Sequence, residues 1–124
     1  MLILGHEDID HPLFCRVNTT KEIQKTDAGT VLYIDPFDTK LAAYMHQNAL
    51  PFCAAINCVS DLMLANAQGA AYCLIPLEHA KEFQALANEY LFDAKLLLAV
   101  DSTDAIKDAA RLGVDGVIFQ AAFM

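Results

Sequence analysis

The sequence predicts a single α/β domain built around a mostly parallel β-sheet. Apolar runs centred near residues 31, 53, 72, 97 and 117 are separated by helical patterns, and this alternation is typical of parallel βα units. The runs are continuously apolar, as expected for strands that are covered on both faces of a parallel sheet. The chain has 124 residues, which suffices for one hydrophobic core, so we expect one domain spanning residues 1–124.

An internal repeat within the stretch from Phe52 to Phe119 supports this architecture. When Asn57 is aligned with Asp101, residues 54–75 match residues 98–119, and Gly69 coincides with Gly113. The two copies share their apolar positions and their glycine helix ends, but they differ where a ligand would make contact, with Asn57 and Cys58 opposite Asp101 and Ser102. The repeat therefore predicts a fold rather than a site.

Two arrangements of the sheet suit this pattern. A closed (β/α)₈ barrel takes roughly 200–250 residues, about twice the length of this chain. Either the sheet is open, or the chain is a half-barrel that pairs with a second copy. We expect a three-layer open sheet of five or six strands with a flavodoxin- or Rossmann-like arrangement, and the half-barrel is the alternative.

Each element follows from local signals along the chain. Apolar runs at 1–5 and 13–17 predict two initial strands, which either pair as a hairpin or lie at the sheet edge. The later strands are short apolar runs that end at polar or turn residues, namely 30–34, 52–56, 71–75, 94–100 and 114–119.

Capping residues, glycine and proline delimit the helices between these strands. Thr19 and Glu22 have the spacing of a capping box, in which the hydroxyl and the carboxylate each accept a main-chain amide proton. Gly69 supplies the left-handed position that favours the end of a helix. The predicted helices span about 19–27, Asp38 or Thr39 to Pro51, 60–68, 79–92 and 103–112.

Composition limits the partners of the protein. Eight Lys and Arg residues against 16 Asp and Glu residues give a net charge of −8, which repels nucleic acid and anionic membranes. The hydrophobic fraction is 56%, above the usual ~45–50%, so we expect a homo-oligomer, in the simplest case a dimer, and allow a protein partner.

The N-terminus and the cysteines predict a cytoplasmic protein. The opening run MLILG lacks the basic region of a signal peptide, and no apolar run is long enough to cross a membrane. Cys15, Cys53 and Cys73 lie within apolar runs, where small buried thiols pack well, so we expect reduced cysteines rather than a disulfide framework.

Polar residues that follow the strands are the candidate site. Ligands of open parallel sheets bind outside the carboxyl ends of the strands, where the amino termini of helices also point. Helix capping alone also accounts for such residues, so the structural alternative stays open. The candidate ligand-binding residues are Asn18, Asp35, Asn57, Cys58, Asp101 and Ser102.

Two kinds of chemistry are compatible with these positions, metal binding by carboxylates and a reactive thiol, but neither is supported by a complete set of residues. Asp35 and Asp101 are compatible with Mg²⁺ because this ion prefers carboxylate oxygen ligands, but no further residue completes a coordination shell. Cys58 stands at the start of a helix, which can lower the pKa of a thiol, but no base can be assigned to it. The prediction is therefore no cofactor, no metal and no assigned catalytic residue.

One segment resembles a known family of enzymes. Residues 100–119, with a small-hydroxyl turn, an alanine-rich helix and a Gly-Val-Asp-Gly sequence, resemble a βα unit of phosphate-binding TIM barrels such as indole-glycerol-phosphate synthase and the aldolases. That resemblance implies a phosphate site, but the glycine-rich loop is absent, and Asp101 and Asp104 would repel an anion. The whole chain also resembles small bacterial α/β proteins of unassigned activity.

Two functions from different classes suit the sequence. The first is a domain that acts through self-association or the binding of a protein partner, which the excess of apolar residues favours. The alternative is a small-ligand or divalent-metal binding protein, or a minor enzyme, that uses the polar residues at the carboxyl ends of the strands. Whether the protein has catalytic activity stays open.

Overall fold

The fold is an α/β half-barrel, and a computed structural model describes all 124 residues. Seven strands form one all-parallel sheet, and the helices pack around it. The strands are β1 (Leu2–Leu4), β2 (Phe14–Arg16), β3 (Val31–Ile34), β4 (Phe52–Ala55), β5 (Tyr72–Leu74), β6 (Lys95–Val100) and β7 (Gly116–Phe119).

Five α-helices and two short 3₁₀ turns connect the strands. The capping box at the start of the first helix is confirmed in one half, because the Glu22 amide donates to the Thr19 hydroxyl at 3.2 Å. The Glu22 carboxylate accepts the amide proton of Asn18 at 3.3 Å instead of that of Thr19. That helix has only four residues and is shorter than predicted. The helices are α1 (Thr20–Ile23), α2 (Thr39–Gln47), α3 (Val59–Ala67), α4 (Ala80–Glu89) and α5 (Ala105–Leu112), and the 3₁₀ turns are Leu77–His79 and Gln120–Ala122.

The strand order explains the curvature of the sheet. From β2 to β7 each strand lies beside the next one in the chain, and β1 lies beside β7. The α/β class and the parallel sheet are therefore confirmed, with seven strands rather than five or six. The half-barrel is the arrangement observed. β1 and β2 lie at opposite edges, so the possible hairpin between them was wrong.

The helices cover only one face of the sheet. Parallel crossovers are right-handed, so a sheet whose strands follow in sequence order places its helices on the same side. Helix residues such as Leu62 and Phe83 share one cluster of 24 buried residues with strand residues such as Leu96. The other face has its own cluster with no residue from α1–α5, made of Leu4, Phe14, Val31, Tyr33, Cys53, Leu97, Ile118 and Ala122.

This second cluster forms the concave face of the half-barrel. The predicted three-layer open sheet would have helices on this face, but here strand side chains fill it instead. Side chains of six different strands meet there. Because they bury one another, the concave face needs no covering helix. The half-barrel is thus a two-layer structure with a packed interior.

The repeat is confirmed in three dimensions. β4, α3 and β5 form one copy, and β6, α5 and β7 form the other. Gly69 and Gly113 both have left-handed backbone conformations, with φ of 84° and 78°, at the ends of α3 and α5. Glycine adopts this conformation without the steric cost that a side chain brings.

The C-terminal tail crosses toward the free edge of β2. Phe123 forms a parallel bridge with Phe14, and the Met124 amide donates to the Phe14 carbonyl at 2.8 Å. The Phe123 ring packs against the rings of Phe14 and Tyr33, with centroids 5.7 and 5.1 Å apart. The tail therefore links the β7 side of the half-barrel to the opposite edge.

Hydrogen bonds at the amino ends of the strands have a structural role. Gln84 is 3% exposed, and its side-chain oxygen accepts the Asp115 amide proton at 3.0 Å. The Asp115 carboxylate in turn accepts the Leu96 amide proton at 2.9 Å. These bonds connect α4 with β6 and with the turn before β7. The polar side chains at this end of the sheet therefore stabilise the fold.

The cysteines are free thiols, as predicted. Cys53 and Cys73 are buried, Cys15 is partly exposed and Cys58 is exposed. None of the helices combines the length and the apolar character that crossing a membrane requires.

Candidate functional site

A groove runs along the carboxyl ends of the strands. It consists of three adjoining cavities of about 540, 720 and 320 Å³, and Ala99 of β6 lines all three. Tyr33 and Leu74 connect the first cavity with the third, and Phe123 connects the third with the second. We refer to these three cavities together as the strand-end groove.

The walls of the strand-end groove are mainly apolar. Leu74 of β5, Ala99 and Val100 of β6, and Phe123 of the tail face it. Leu77, in the 3₁₀ turn after β5, lines two of the cavities and is 67% exposed. An apolar side chain that is this exposed at the edge of a cavity favours contact with the apolar part of a ligand.

Two residues of β3 and its end form the polar centre of the groove. Tyr33 and Asp35 are two positions apart, and alternate residues of a strand project to the same face. The Tyr33 hydroxyl donates to the Asp35 carboxylate at 3.2 Å. Burial of the ring, with the negative charge of Asp35 beside it, raises the pKa of Tyr33, so the phenol stays protonated and remains a donor.

Arg16 completes this polar centre from the neighbouring strand. It is the last residue of β2 and is in register with Tyr33. Its guanidinium donates to the main-chain carbonyl of Asp35, and its side chain lines the third cavity. Because this bond is made to the main chain, the Asp35 carboxylate keeps the neutral Tyr33 hydroxyl as its hydrogen-bond partner.

Sequence reasoning missed Arg16 and Tyr33. The available signal was the two-residue period of the strands. Phe14 points into the concave core, so Arg16 two residues later has to lie on the same face at the mouth, and Tyr33 precedes Asp35 by the same interval. In the sequence both residues lie within predicted apolar strands, at 13–17 and 30–34, and not at the strand ends.

The structure brings some predicted residues to the groove. Asp35 and Asn57 line the first cavity, and Asp101 lines the second. Ser102 is exposed and does not line the strand-end groove.

Asn18 and Cys58 serve other local roles. Asn18 lines a separate cavity beside the start of α2, and its amide donates to the Glu22 carboxylate at 3.3 Å. Cys58 precedes α3 as its N-cap residue, without a side-chain capping bond.

Asp35 and Asp101 do not form a common site. They follow β3 and β6, and two strands lie between them. Neighbouring strands are about 4.8 Å apart, so the two ends are separated by on the order of 14 Å along the sheet. No three His, Cys, Asp or Glu side chains are close enough together to hold a metal ion. A cation bound jointly by the two carboxylates therefore does not fit this arrangement.

Comparison with known proteins does not assign the chain to a family. No model of a protein family matches the sequence, and no curated protein matches it.

The groove has the composition of a binding site for a small organic molecule. Apolar walls are joined to a few converging polar groups, which is the usual arrangement where small molecules bind. The Asp35 carboxylate can accept hydrogen bonds, and Arg16 and Tyr33 can donate them.

Proposed function

We propose that this protein binds a small organic molecule in the strand-end groove. The observation that carries the proposal is the junction of apolar walls with the polar centre formed by Arg16, Tyr33 and Asp35. Apolar walls with a few convergent polar groups are the usual arrangement of a small-molecule site.

Position and size both support this function. Parallel α/β sheets bind ligands at the carboxyl ends of their strands, and the first cavity measures about 540 Å³, within the range of roughly 300–1,000 Å³ for small-molecule sites. At the opposite end of the sheet, the cavity beside Gln84 and Asp115 measures only about 220 Å³, below that range, and these two residues are engaged in structural hydrogen bonds.

A groove-filling substitution tests the proposal. Ala99 lines all three cavities and is exposed, so Ala99→Phe should block the groove without disturbing the core. Ala110→Phe is the matched control, because Ala110 is exposed on α5 and outside the groove. A library of small metabolites is screened against the parent by thermal shift and by ligand-observed NMR.

Compounds that bind the parent should bind the Ala110→Phe variant equally and should lose at least tenfold in affinity for Ala99→Phe. If no compound binds the parent, or if every compound that binds has the same affinity for the parent and for Ala99→Phe, the proposed function is wrong.

Self-association along the open side of the half-barrel is a second candidate function. The observation that favours it is a set of exposed apolar residues at β1 and in the segment that leads from β1 to β2, namely Met1 (55%), Leu2 (37%), Ile9 (41%) and Leu13 (47%). The outer edge of β1 has no strand partner in the sheet, and unpaired edges favour pairing with another chain. We propose that a second copy of the chain covers this edge.

The oligomeric state tests this second candidate. Light scattering after size exclusion should give a dimer for the parent and a monomer for Leu2→Lys, because Leu2 lies on β1 and is 37% exposed. Leu64→Lys is the matched control, because Leu64 is 46% exposed on α3, away from the open side. A parent that stays monomeric at high concentration, or a dimer that Leu64→Lys breaks and Leu2→Lys does not, contradicts a dimer through the edge of β1.

A further inference from the structure

The charges that line the strand-end groove indicate which ligand it takes, an inference that rests on the proposed function. Three carboxylates face the groove, from Asp35, Asp101 and Asp108, against the single guanidinium of Arg16. A cleft with an excess of one charge sign and apolar walls concentrates its field and attracts ligands of the opposite sign. The groove is therefore suited to a cation.

The carboxylate of Asp35 is the acid best placed to bind such a cation. Its hydrogen-bond donor is the Tyr33 hydroxyl at 3.2 Å, a neutral group, so this bond orients the carboxylate without cancelling its charge. Arg16 donates to the Asp35 main-chain carbonyl instead. Asp35 also borders the largest group of apolar lining residues, which include Leu74, Leu77 and Val100.

The amino termini of the helices argue against an anionic ligand. These termini attract anions through their free amides and the helix dipole. Here each neighbouring helix supplies its own carboxylate. Asp38 accepts the amide protons of Lys40 and Leu41 at the start of α2, while Asp61 and Asp108 lie in the first turns of α3 and α5. A phosphate or carboxylate ligand would meet these groups as like charges.

We infer that the strand-end groove binds a small organic ammonium compound, with its apolar part against Leu74, Leu77 and Val100 and its ammonium group on the Asp35 carboxylate. Three N–H donors on a primary ammonium group suit a carboxylate that retains free acceptor sites. This assignment differs from the phosphate chemistry that residues 100–119 suggested.

Three probes of equal length separate charge from apolar contact. Hexylamine, hexan-1-ol and hexanoate present an ammonium, a hydroxyl and a carboxylate on the same chain, and their dissociation constants are measured by NMR titration at pH 7 and low salt. Hexylamine should bind the parent at least tenfold more tightly than hexan-1-ol, and hexanoate should bind most weakly. Added salt should weaken the binding of hexylamine, because it screens the charges, and should leave the binding of hexan-1-ol unchanged.

Matched variants locate the charge that is responsible. Asp35→Asn should weaken the binding of hexylamine at least tenfold and leave the binding of hexan-1-ol unchanged. Asp93→Asn should change the affinity for neither compound. Asp93 is exposed in the turn between α4 and β6, at the opposite end of the sheet. Tyr33→Phe should give a smaller loss for hexylamine, because it removes only the group that orients the carboxylate.

The outcomes separate this inference from the proposed function. Equal binding of the amine and the alcohol, tighter binding of hexanoate, or an equal effect of Asp93→Asn overturns the ammonium assignment. If none of the three probes binds while library compounds bind in a manner that Ala99→Phe abolishes, the assignment is wrong and the proposed function stands. If the library also fails, both are wrong.

Discussion

The Tyr33 hydroxyl in β3 donates a hydrogen bond at 3.2 Å to the carboxylate of Asp35, which directly follows this strand. The pair places a protonated donor and a carboxylate side by side at the mouth of an apolar groove. Its geometry follows from the strand itself, because residues two apart share a face.

Removing this hydroxyl should have a small and measurable cost. Tyr33→Phe is expected to lower the free energy of unfolding by about 1 kcal/mol, the usual contribution of one hydrogen bond. Urea denaturation measures the change, with Tyr90→Phe as the control, because Tyr90 is 59% exposed and should show no loss. Equal effects of the two substitutions would mean that the bond to Asp35 does not contribute to stability.

Buried thiols predict a loss of stability in alkaline solution. Burial raises the pKa of Cys73 to about 12, and burial, with Cys73 nearby, also raises the pKa of Cys53. Below the pKa of an unfolded thiol, both states are protonated and the folded state keeps its full stability. As the pH rises beyond about 9, the unfolded chain releases protons that the folded chain retains, and the free energy of unfolding falls.

The expected loss is about 1.4 kcal/mol for each buried thiol near pH 10. Urea denaturation between pH 7 and 10 should show this decrease, and it should be smaller in Cys73→Ala. Cys58→Ala is the control, because Cys58 is exposed and its removal should leave the slope unchanged. A slope that Cys73→Ala leaves as steep as in the parent would contradict a role for this thiol.

Gly116 allows β1 to pack against β7. A Cβ atom at this position would lie 2.7 Å from Leu2 Cβ, 2.8 Å from the Leu2 carbonyl oxygen and 2.9 Å from Leu97 Cδ2. Gly116→Ala should therefore lower the free energy of unfolding by about 1–3 kcal/mol, the usual cost of overpacking. Calorimetry measures the change in melting temperature.

The comparison for Gly116→Ala is Gly29→Ala. A Cβ atom at Gly29 meets nothing within 4 Å, although φ is +87°, so only the cost of a left-handed backbone applies there, about 1–2 kcal/mol. The β1–β7 contact itself is probed by hydrogen exchange of the Ile3 and Leu4 amides. Unchanged protection of these amides in Gly116→Ala would show that the added methyl group does not displace β1.

Two helix ends offer sites for stabilisation. Leu91 follows α4 with φ of 52° and Ala49 follows α2 with φ of 55°, both left-handed positions that favour glycine. The Phe92 amide donates to the Ala87 carbonyl at 2.9 Å, the bond expected of this type of helix end. Leu91→Gly should raise the free energy of unfolding by about 0.5–1 kcal/mol, after allowance for the greater freedom of glycine in the unfolded chain.

Leu91→Ala is the control for this substitution, because it removes the exposed side chain and keeps the left-handed strain. Urea denaturation should show a gain for Leu91→Gly and Ala49→Gly and none for Leu91→Ala. A gain of the same size for Leu91→Ala would assign the effect to the leucine side chain rather than to the backbone.

The sequence predicted the elements better than their arrangement. Continuous apolar runs and the pair Gly69 and Gly113 were sufficient for the parallel strands and for the repeat. These local patterns do not reveal the order of the strands in the sheet, including which strand lies beside β1. The pairing of Leu2 with Gly116 depends on contacts between distant parts of the chain, and the curvature of the sheet follows from that pairing, so the choice between an open sheet and a half-barrel required the structure.

The candidate site was predictable only in part. The rule that ligands bind at strand ends identified Asp35, Asn57 and Asp101, which line the groove. The rule did not distinguish them from Ser102, because a polar residue after a strand caps a helix as readily as it faces a ligand. Arg16 lies inside a strand, and its role depends on the register between β2 and β3, which local patterns do not reveal.

The pairing of β1 with β7 also determines the order in which the strands can pair while the chain is being synthesised on the ribosome. β1 is made before β2 to β6, but its only neighbour in the sheet is β7, which is made after them. Strands β2 to β6 can associate with their neighbours as they emerge, since each follows the previous one in the chain. β1 has to wait until β7 has been made, and contacts between such distant segments form slowly. The apolar segment Met1–Leu4 therefore lacks its strand partner for longer than β2 to β6 do, and a chaperone would be most useful to the nascent chain there.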